Sequence, residues 1–259
     1  MSALLAFGPV PQAPGFRFER HAALPSTNSA AMEAARAGQG DRLWVLADQQ
    51  TAGRGRRGRS WSSPVGNLFA SVLLIDPGPR ARIGELPLVA AVALADAVDR
   101  AVGAFGLARL KWPNDLLVGE AKLSGILLEA EPLADGRLAV VCGFGVNCVT
   151  HPDPEHYAAT DLAALGYRVE AEGMFACLAG SLAHWLDTWS RSGFAPVRSA
   201  WLQRALRLGE EITVRLPAEE LVGRFKDIDP RGQLVLALAG GQTRTISAGD
   251  VFFGPRPER

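Results

Sequence analysis

Seven consecutive residues, Gly53-Arg54-Gly55-Arg56-Arg57-Gly58-Arg59, put three glycines and four arginines between two apolar runs, at 43–47 and 68–75. An apolar, polar, apolar succession of this length reads as strand, loop, strand. Glycines let backbone amides come close to a ligand, and guanidinium groups supply forked, charge-assisted donors. The loop therefore suits an anion such as phosphate or carboxylate; the alternative is a solvated basic turn. Gln50 stands at its entrance and Trp61 at its exit. A tryptophan in that place either packs or stacks on a bound base and keeps water away.

Four further stretches carry residues of the same kind. Ser26-Thr27-Asn28 precedes an alanine-rich run that stops at Gly38, so these side chains are helix caps or a set of neutral hydrogen-bond partners at a helix N-terminus. In Lys111-Trp112-Pro113-Asn114-Asp115 the proline makes a rigid turn between two strands. Its flanking cation and anion are either ordinary turn residues or groups that serve a nucleotide and its magnesium. Lys122 heads an otherwise apolar strand in which Gly125 permits a close approach. Gly143-Phe144-Gly145-Val146-Asn147 suits a strand with one face against a ligand or another backbone. The run 151–156, His-Pro-Asp-Pro-Glu-His, has metal-ligand residue types, but its prolines disfavour the helix that would align them, so a surface loop is expected.

The elements that would position these groups follow from periodicity. Strands are expected at 16–21, 43–47, 67–75, 110–118 (broken by the turn), 122–129 and 138–148, with helices after Asn28, at 85–102, around 178–189 and at 194–206. Asp96, Asp99 and Arg100 fall on the polar face of the 85–102 helix and suggest no chemistry. From Gly209 the pattern changes to four short alternating strands at 211–216, 221–228, 234–238 and 243–247, a small all-β unit. Two domains are expected, at 1–207 and 208–259.

Lys+Arg and Asp+Glu both number 27, so the formal net charge is zero, which argues against a general nucleic-acid binder whose affinity rests on a basic surface. The arginine cluster is a local feature. Cys142, Cys148 and Cys177 form no metal-type pair and read as small buried apolar residues in a reducing compartment. The first residues lack a secretory pattern, and the apolar run at 86–98 is too short to span a bilayer, so a cytoplasmic protein is expected.

Taken together and in order, these motifs resemble those of the biotin protein ligases, with Lys122-Leu123-Ser124-Gly125-Ile126-Leu127 as a further match. The resemblance implies an α+β fold, with a mixed or antiparallel catalytic sheet and packed helices of the class II synthetase type, plus a small SH3-like C-terminal barrel. It implies a two-step reaction: biotin and ATP give biotinyl-5′-AMP and pyrophosphate, then a lysine of a biotin carboxyl carrier protein takes the biotinyl group. By resemblance, Ser26, Thr27, Asn28 and Gln50 would bind the ureido end of biotin. Arg54, Gly55 and Arg56 would cover its carboxylate, Lys122 would touch the reacting oxygens, and Trp61 and Asn147 would hold the adenylate. Lys111 would screen the anionic substrates together with Mg²⁺, and Asp115 would orient a lysine or the metal. Arg57 and Arg59 are placed nearer solvent or structural contacts. The stretch before the first strand does not resemble the DNA-binding domain of the repressor members, so no DNA partner is expected; a homodimer is allowed. The rival readings are a lipoyl or octanoyl ligase of the same fold and a non-catalytic nucleotide- or nucleic-acid-binding module.

Overall fold

A computed structural model of the chain describes residue 13 and residues 15–153 and 157–253. The proline-rich lead-in before Ala13, and Pro154 to His156 of the histidine loop, lie outside the described residues. The strands β1 (Arg17–His21), β2 (Leu43–Ala47), β3 (Leu68–Ile75), β4 (Arg109–Lys111), β5 (Asp115–Val118), β6 (Ala121–Pro132) and β7 (Leu138–Val146) form one seven-stranded sheet in the order β1-β2-β3-β7-β6-β5-β4. β1 pairs parallel with β2 and every other pair is antiparallel, so the sheet is mixed.

Helices cover both faces, which explains why the central strands read as unbroken apolar runs. On one face α1 (Thr27–Arg36) lays Ala31, Met32 and Ala35 against Leu43, Val45, Leu73, Ala139 and Val141. Alternate residues of the same strands, Trp44, Leu46, Val72, Leu74, Val140 and Cys142, join the larger core beneath α2 (Leu86–Val102) and α3 (Ala171–Ser192). The period-2 alternation thus divides each strand between two cores.

The helix α2 differs from its sequence reading. Asp99 is only 6% exposed and its carboxylate receives Gly106 N and Leu107 N, while Arg204 Nη2 reaches Asp96 at 2.7 Å and Asp99 at 2.8 Å. Arg204 ends α4 (Ala195–Arg204), whose docking on α2 converts a would-be solvent face into a buried ion-pair site. Helical spacing locates a polar face but not what covers it.

The C-terminal unit holds β8 (Glu211–Arg215), β9 (Glu220–Ile228), β10 (Leu234–Ala237), β11 (Thr243–Ile246) and β12 (Asp250–Phe252), an antiparallel sheet in the order β11-β10-β9-β8-β12. The last strand, only three residues long, is absent from the sequence reading. This unit shares the large core through Ile212, Val214, Phe225 and Leu236, and Trp112 Nε1 donates to Gly232 O at 3.2 Å.

Two outcomes check this packing. Asp99→Ala strips two amide caps and one partner from buried Arg204, and should lower stability by about 2–4 kcal/mol in urea unfolding. Burial pushes the Cys142 thiol up to about 12 and the Cys148 thiol up to about 11. A raised thiol pKa leaves less thiolate at a given pH, so at pH 8 a disulfide reagent should modify half-buried Cys177 well before either of them.

Candidate active site

Register partners on neighbouring strands share a face, so one row across the sheet can be read from the pairings: Ala47, Phe69, Gly145, Gly125, Asp115 and Lys111. The row lies on the α1 face. Its middle has no side chains because both central positions are glycine, and Trp61 lies across the gap. A Cβ built on Gly145 would stand 2.5 Å from the Trp61 indole, and one on Gly125 would stand 3.0 Å from it. The next row, Ser71, Gly143 and Leu127, carries the N-terminus of α1: any Cβ on Gly143 would overlap the Asn28 carboxamide.

Lys122 would miss this face if β6 alternated regularly, since it stands three residues from Gly125. The pairing of β5 with β6 shifts between Leu116↔Ser124 and Leu117↔Lys122, leaving Leu123 as an extra residue. This bulge sends Leu123 into the large core and turns Lys122 onto the glycine row. Lys122 Nζ then pairs with Asp115 at 2.8 Å and lies over the Trp61 ring at 5.3 Å.

At the other end stands a neutral hydrogen-bond cluster. Ser26 caps α1, with its Oγ accepting from Ser29 N at 3.4 Å. Gln50 Oε1 accepts from Thr27 N at 2.8 Å and Thr27 Oγ1 at 3.1 Å, and its Nε2 donates to Ser63 Oγ at 3.0 Å. The Ser71 hydroxyl lies 2.7 Å from Thr27 Oγ1 and 2.6 Å from Asn28 Oδ1. Asn28 Nδ2 donates to Glu129 at 2.8 Å, and the same carboxylate oxygen takes Arg54 Nη2 at 3.0 Å.

The arginine loop is a small hairpin closed by Gly55 N on Arg59 O and by Trp61 N on Gly53 O. Gly53 is needed for close approach, since a Cβ there would stand 2.5 Å from Trp61 O. A Cβ on Gly55 would meet only ordinary contacts, 3.5 Å from Arg59 O. The backbone amide of Thr51 ties the loop entrance to Leu24 O at 2.9 Å. Arg56 Nη1 donates to Asn114 Oδ1 at 3.0 Å, and burial pulls its pKa below the usual arginine value. Burial likewise lowers Lys111, which lies 5.0 Å from the Phe253 ring centre, with Asp115 opposing the shift. Asn147 lines a cleft with Ser60, Trp61, Ser62, Lys122, Pro152, Tyr157 and Ala159. Its amide already donates to Thr160 O at 3.0 Å, so it shapes this cleft from within the fold.

The residues of the five motifs, from Ser26 to Asn147, that the resemblance assigns to the site stand on or beside this one face. Ser63, Ser71, Asn114 and Glu129 were missed as partners, and Asp250 was missed as the carboxylate beneath Arg57 and Arg59. Asn114 left a trace as a residue of the Lys111 to Asp115 turn, and Glu129 as the charged end of the Lys122 strand. The arrangement juxtaposes a fixed lysine–carboxylate pair, a guanidinium loop and a neutral polar cluster, as joining two anionic substrates requires.

Comparison with known proteins agrees. The biotin/lipoate A/B protein ligase family model matches residues 22–147, and the biotin protein ligase C-terminal domain matches residues 208–254. Fold and site thus define an acyl-protein ligase of the biotin and lipoate class. A biotin--[acetyl-CoA-carboxylase] ligase from Paracoccus denitrificans is 41% identical over 235 residues, 88% of this chain and 97% of that protein. One from Mycobacterium tuberculosis is 35% identical, covering 87% and 85%. The solved biotin protein ligase from Aquifex aeolicus, in complex with biotin and ATP, superposes with a TM-score of 0.78 at 25% identity over 91% of this chain and 97% of that one. The chain belongs to the biotin protein ligase family.

Gly145→Ala should lift Trp61 off the sheet. The fluorescence difference between this variant and its Trp61→Phe partner should be red-shifted and more open to acrylamide than the same difference in the parent.

Proposed function

We propose that the protein is an ATP-dependent, AMP-forming biotin--[acetyl-CoA-carboxylase] ligase. In the first step a biotin carboxylate oxygen bonds to the α-phosphorus of ATP and the bond to pyrophosphate breaks. In the second, the ε-amine of a carrier lysine bonds to the acyl carbon, AMP leaves, and the amine proton passes to solvent. The observation that carries this reading is the Lys122–Asp115 pair, set by a bulge onto the glycine floor between the polar cluster and the arginine loop.

In this reading Ser26, Thr27, Asn28 and Gln50 meet the ureido group, and their mutual hydrogen bonds hold them ready for it. Lys122, Arg54 and Arg56 meet the carboxylate and α-phosphate oxygens, where negative charge gathers in the transition state. Lys111, partly desolvated and backed by Asp115, adds a positive field that water screens little. Gly125 leaves room over the sheet, Gly55 gives the loop backbone freedom, and Trp61 and Asn147 wall the adenylate from water. Magnesium belongs to the same reading as the ion of the triphosphate. Among the described residues no three His, Cys, Asp or Glu side chains converge, so these residues offer no cage, only Asp115 on the side where the phosphates would lie. When bound, the ion would neutralise phosphate charge.

The partner is a biotin carboxyl carrier protein, and a role on operator DNA is not part of the proposal, in keeping with the zero formal charge. A homodimer is compatible with it. A cytoplasmic location is supported by three free cysteines, and no helix among the described residues is long and apolar enough to cross a membrane. The division at 207/208 into a catalytic and an SH3-like domain is part of the same proposal.

Incubation with biotin, ATP and magnesium should yield biotinyl-5′-AMP by mass spectrometry, with free biotin and not lipoate competing for labelling. Lys122→Ala should slow adenylate formation roughly 100- to 1,000-fold. Folded parent protein that makes no adenylate overturns the assignment.

A further inference from the structure

Two guanidinium groups of the arginine loop pair with a single carboxylate in the C-terminal unit, and a third stands close by. Arg57 Nη1 donates to Asp250 Oδ2 at 2.8 Å, Arg59 Nη2 donates to Oδ1 at 3.3 Å, and Arg56 Nη1 stands 3.8 Å from Oδ1. Arg56 Nη2 also donates to Gly249 O at 3.2 Å. The Asp250 side chain is 17% exposed, against 40% for Arg57 and 61% for Arg59, so a carboxylate fixed in β12 gathers long side chains from solvent.

The loop needs such an anchor. Its internal ties are few, and a two-stranded hairpin of this size is marginal in water. Arg57 at its tip has φ of 56°, which costs a non-glycine residue energy that outside contacts must offset. Its arginines repel one another, and Asp250 lies where it relieves three of them at once.

We propose that Asp250 is a positioning residue through which the C-terminal unit latches the arginine loop over the glycine floor. With the latch engaged, Arg56 rests on Asn114 and Trp61 lies on Gly145. Phe252, two residues on from Asp250, stands 5.9 Å from Lys111 Nζ, so the same short strand approaches the site at two points. Because the pairing is ionic and half-exposed, it opens and recloses without unfolding either unit, as a loop must that retains an intermediate and then admits a carrier lysine. The latch stands on the contacts alone; its effect on the intermediate rests on the ligase reading.

The test compares the full chain with Asp250→Asn. Trypsin should cut the variant after Arg54 to Arg59 roughly three- to tenfold faster than the parent, as loss of two or three partly exposed ion pairs implies. Without a carrier, biotinyl-5′-AMP should escape into solution faster by a similar factor. Salt near 1 M should raise escape from the parent towards the variant's rate and leave the variant's rate almost unchanged, which a merely structural role would not produce. A chain carrying Arg57→Gln and Arg59→Gln should match Asp250→Asn, and combining all three should add little. Unchanged loop cleavage and escape in folded Asp250→Asn overturn the latch, and so does cleavage spread through β8 to β12 instead of the loop. If the parent forms no adenylate, the ligase reading fails while the cleavage comparison still decides the latch.

Discussion

Absence of side chains at Gly143, Gly145 and Gly125 is the constraint on which this site depends. Each lies on the α1 face of two adjacent strands, and each is filled from above, by the Asn28 carboxamide or by the Trp61 indole. A methyl group at Gly145 would stand 2.5 Å from the indole, far inside van der Waals contact. Close packing of this kind transmits displacement, so the sheet fixes the heights of the α1 N-terminus and of the loop exit together. The polar cluster around Gln50, Thr27 and Ser71 holds its geometry because both of its sides rest on that floor.

The turn Lys111-Trp112-Pro113-Asn114-Asp115 joins the two sheets through side chains that point in different directions. Asp115 fixes Lys122, Asn114 receives Arg56, Trp112 reaches Gly232 of the C-terminal unit, and Lys111 sits beneath Phe253. Contacts from four of its five residues make the turn a hub, and the ring of the fifth, Pro113, restricts the backbone between them.

The cations around the floor share a common arrangement. Lys122 rests on Asp115, Arg54 on Glu129, and Arg57 and Arg59 on Asp250. Such resting pairs hold long side chains near one geometry, and the arginine pairs, with their guanidinium ends exposed, do so at little net gain, about 0–1 kcal/mol each. In the proposed reaction weak pairing is an advantage at Lys122 and Arg54, where an incoming carboxylate or phosphate would replace the resting carboxylate, while Arg57 and Arg59 keep theirs.

Local sequence was enough for the succession of elements up to the three-residue β12, and for the residue types of the site. Strands buried on both faces betray themselves as apolar runs, as at Leu43–Ala47 and Leu68–Ile75, and glycine, proline and arginine mark the loops between them. What the sequence left open depended on pairing between distant segments. Lys122 faces the site only because of a register shift against β5, which no local periodicity reveals. Asp96 and Asp99 read as a solvent face until α4 brought Arg204 onto them. Ser71 and Asp250 became partners of the site only when β3 ran beneath α1 and a three-residue strand closed against the arginine loop. Composition and spacing record what each segment can do; which segment it meets is decided by long-range packing, and that exists only in the folded chain.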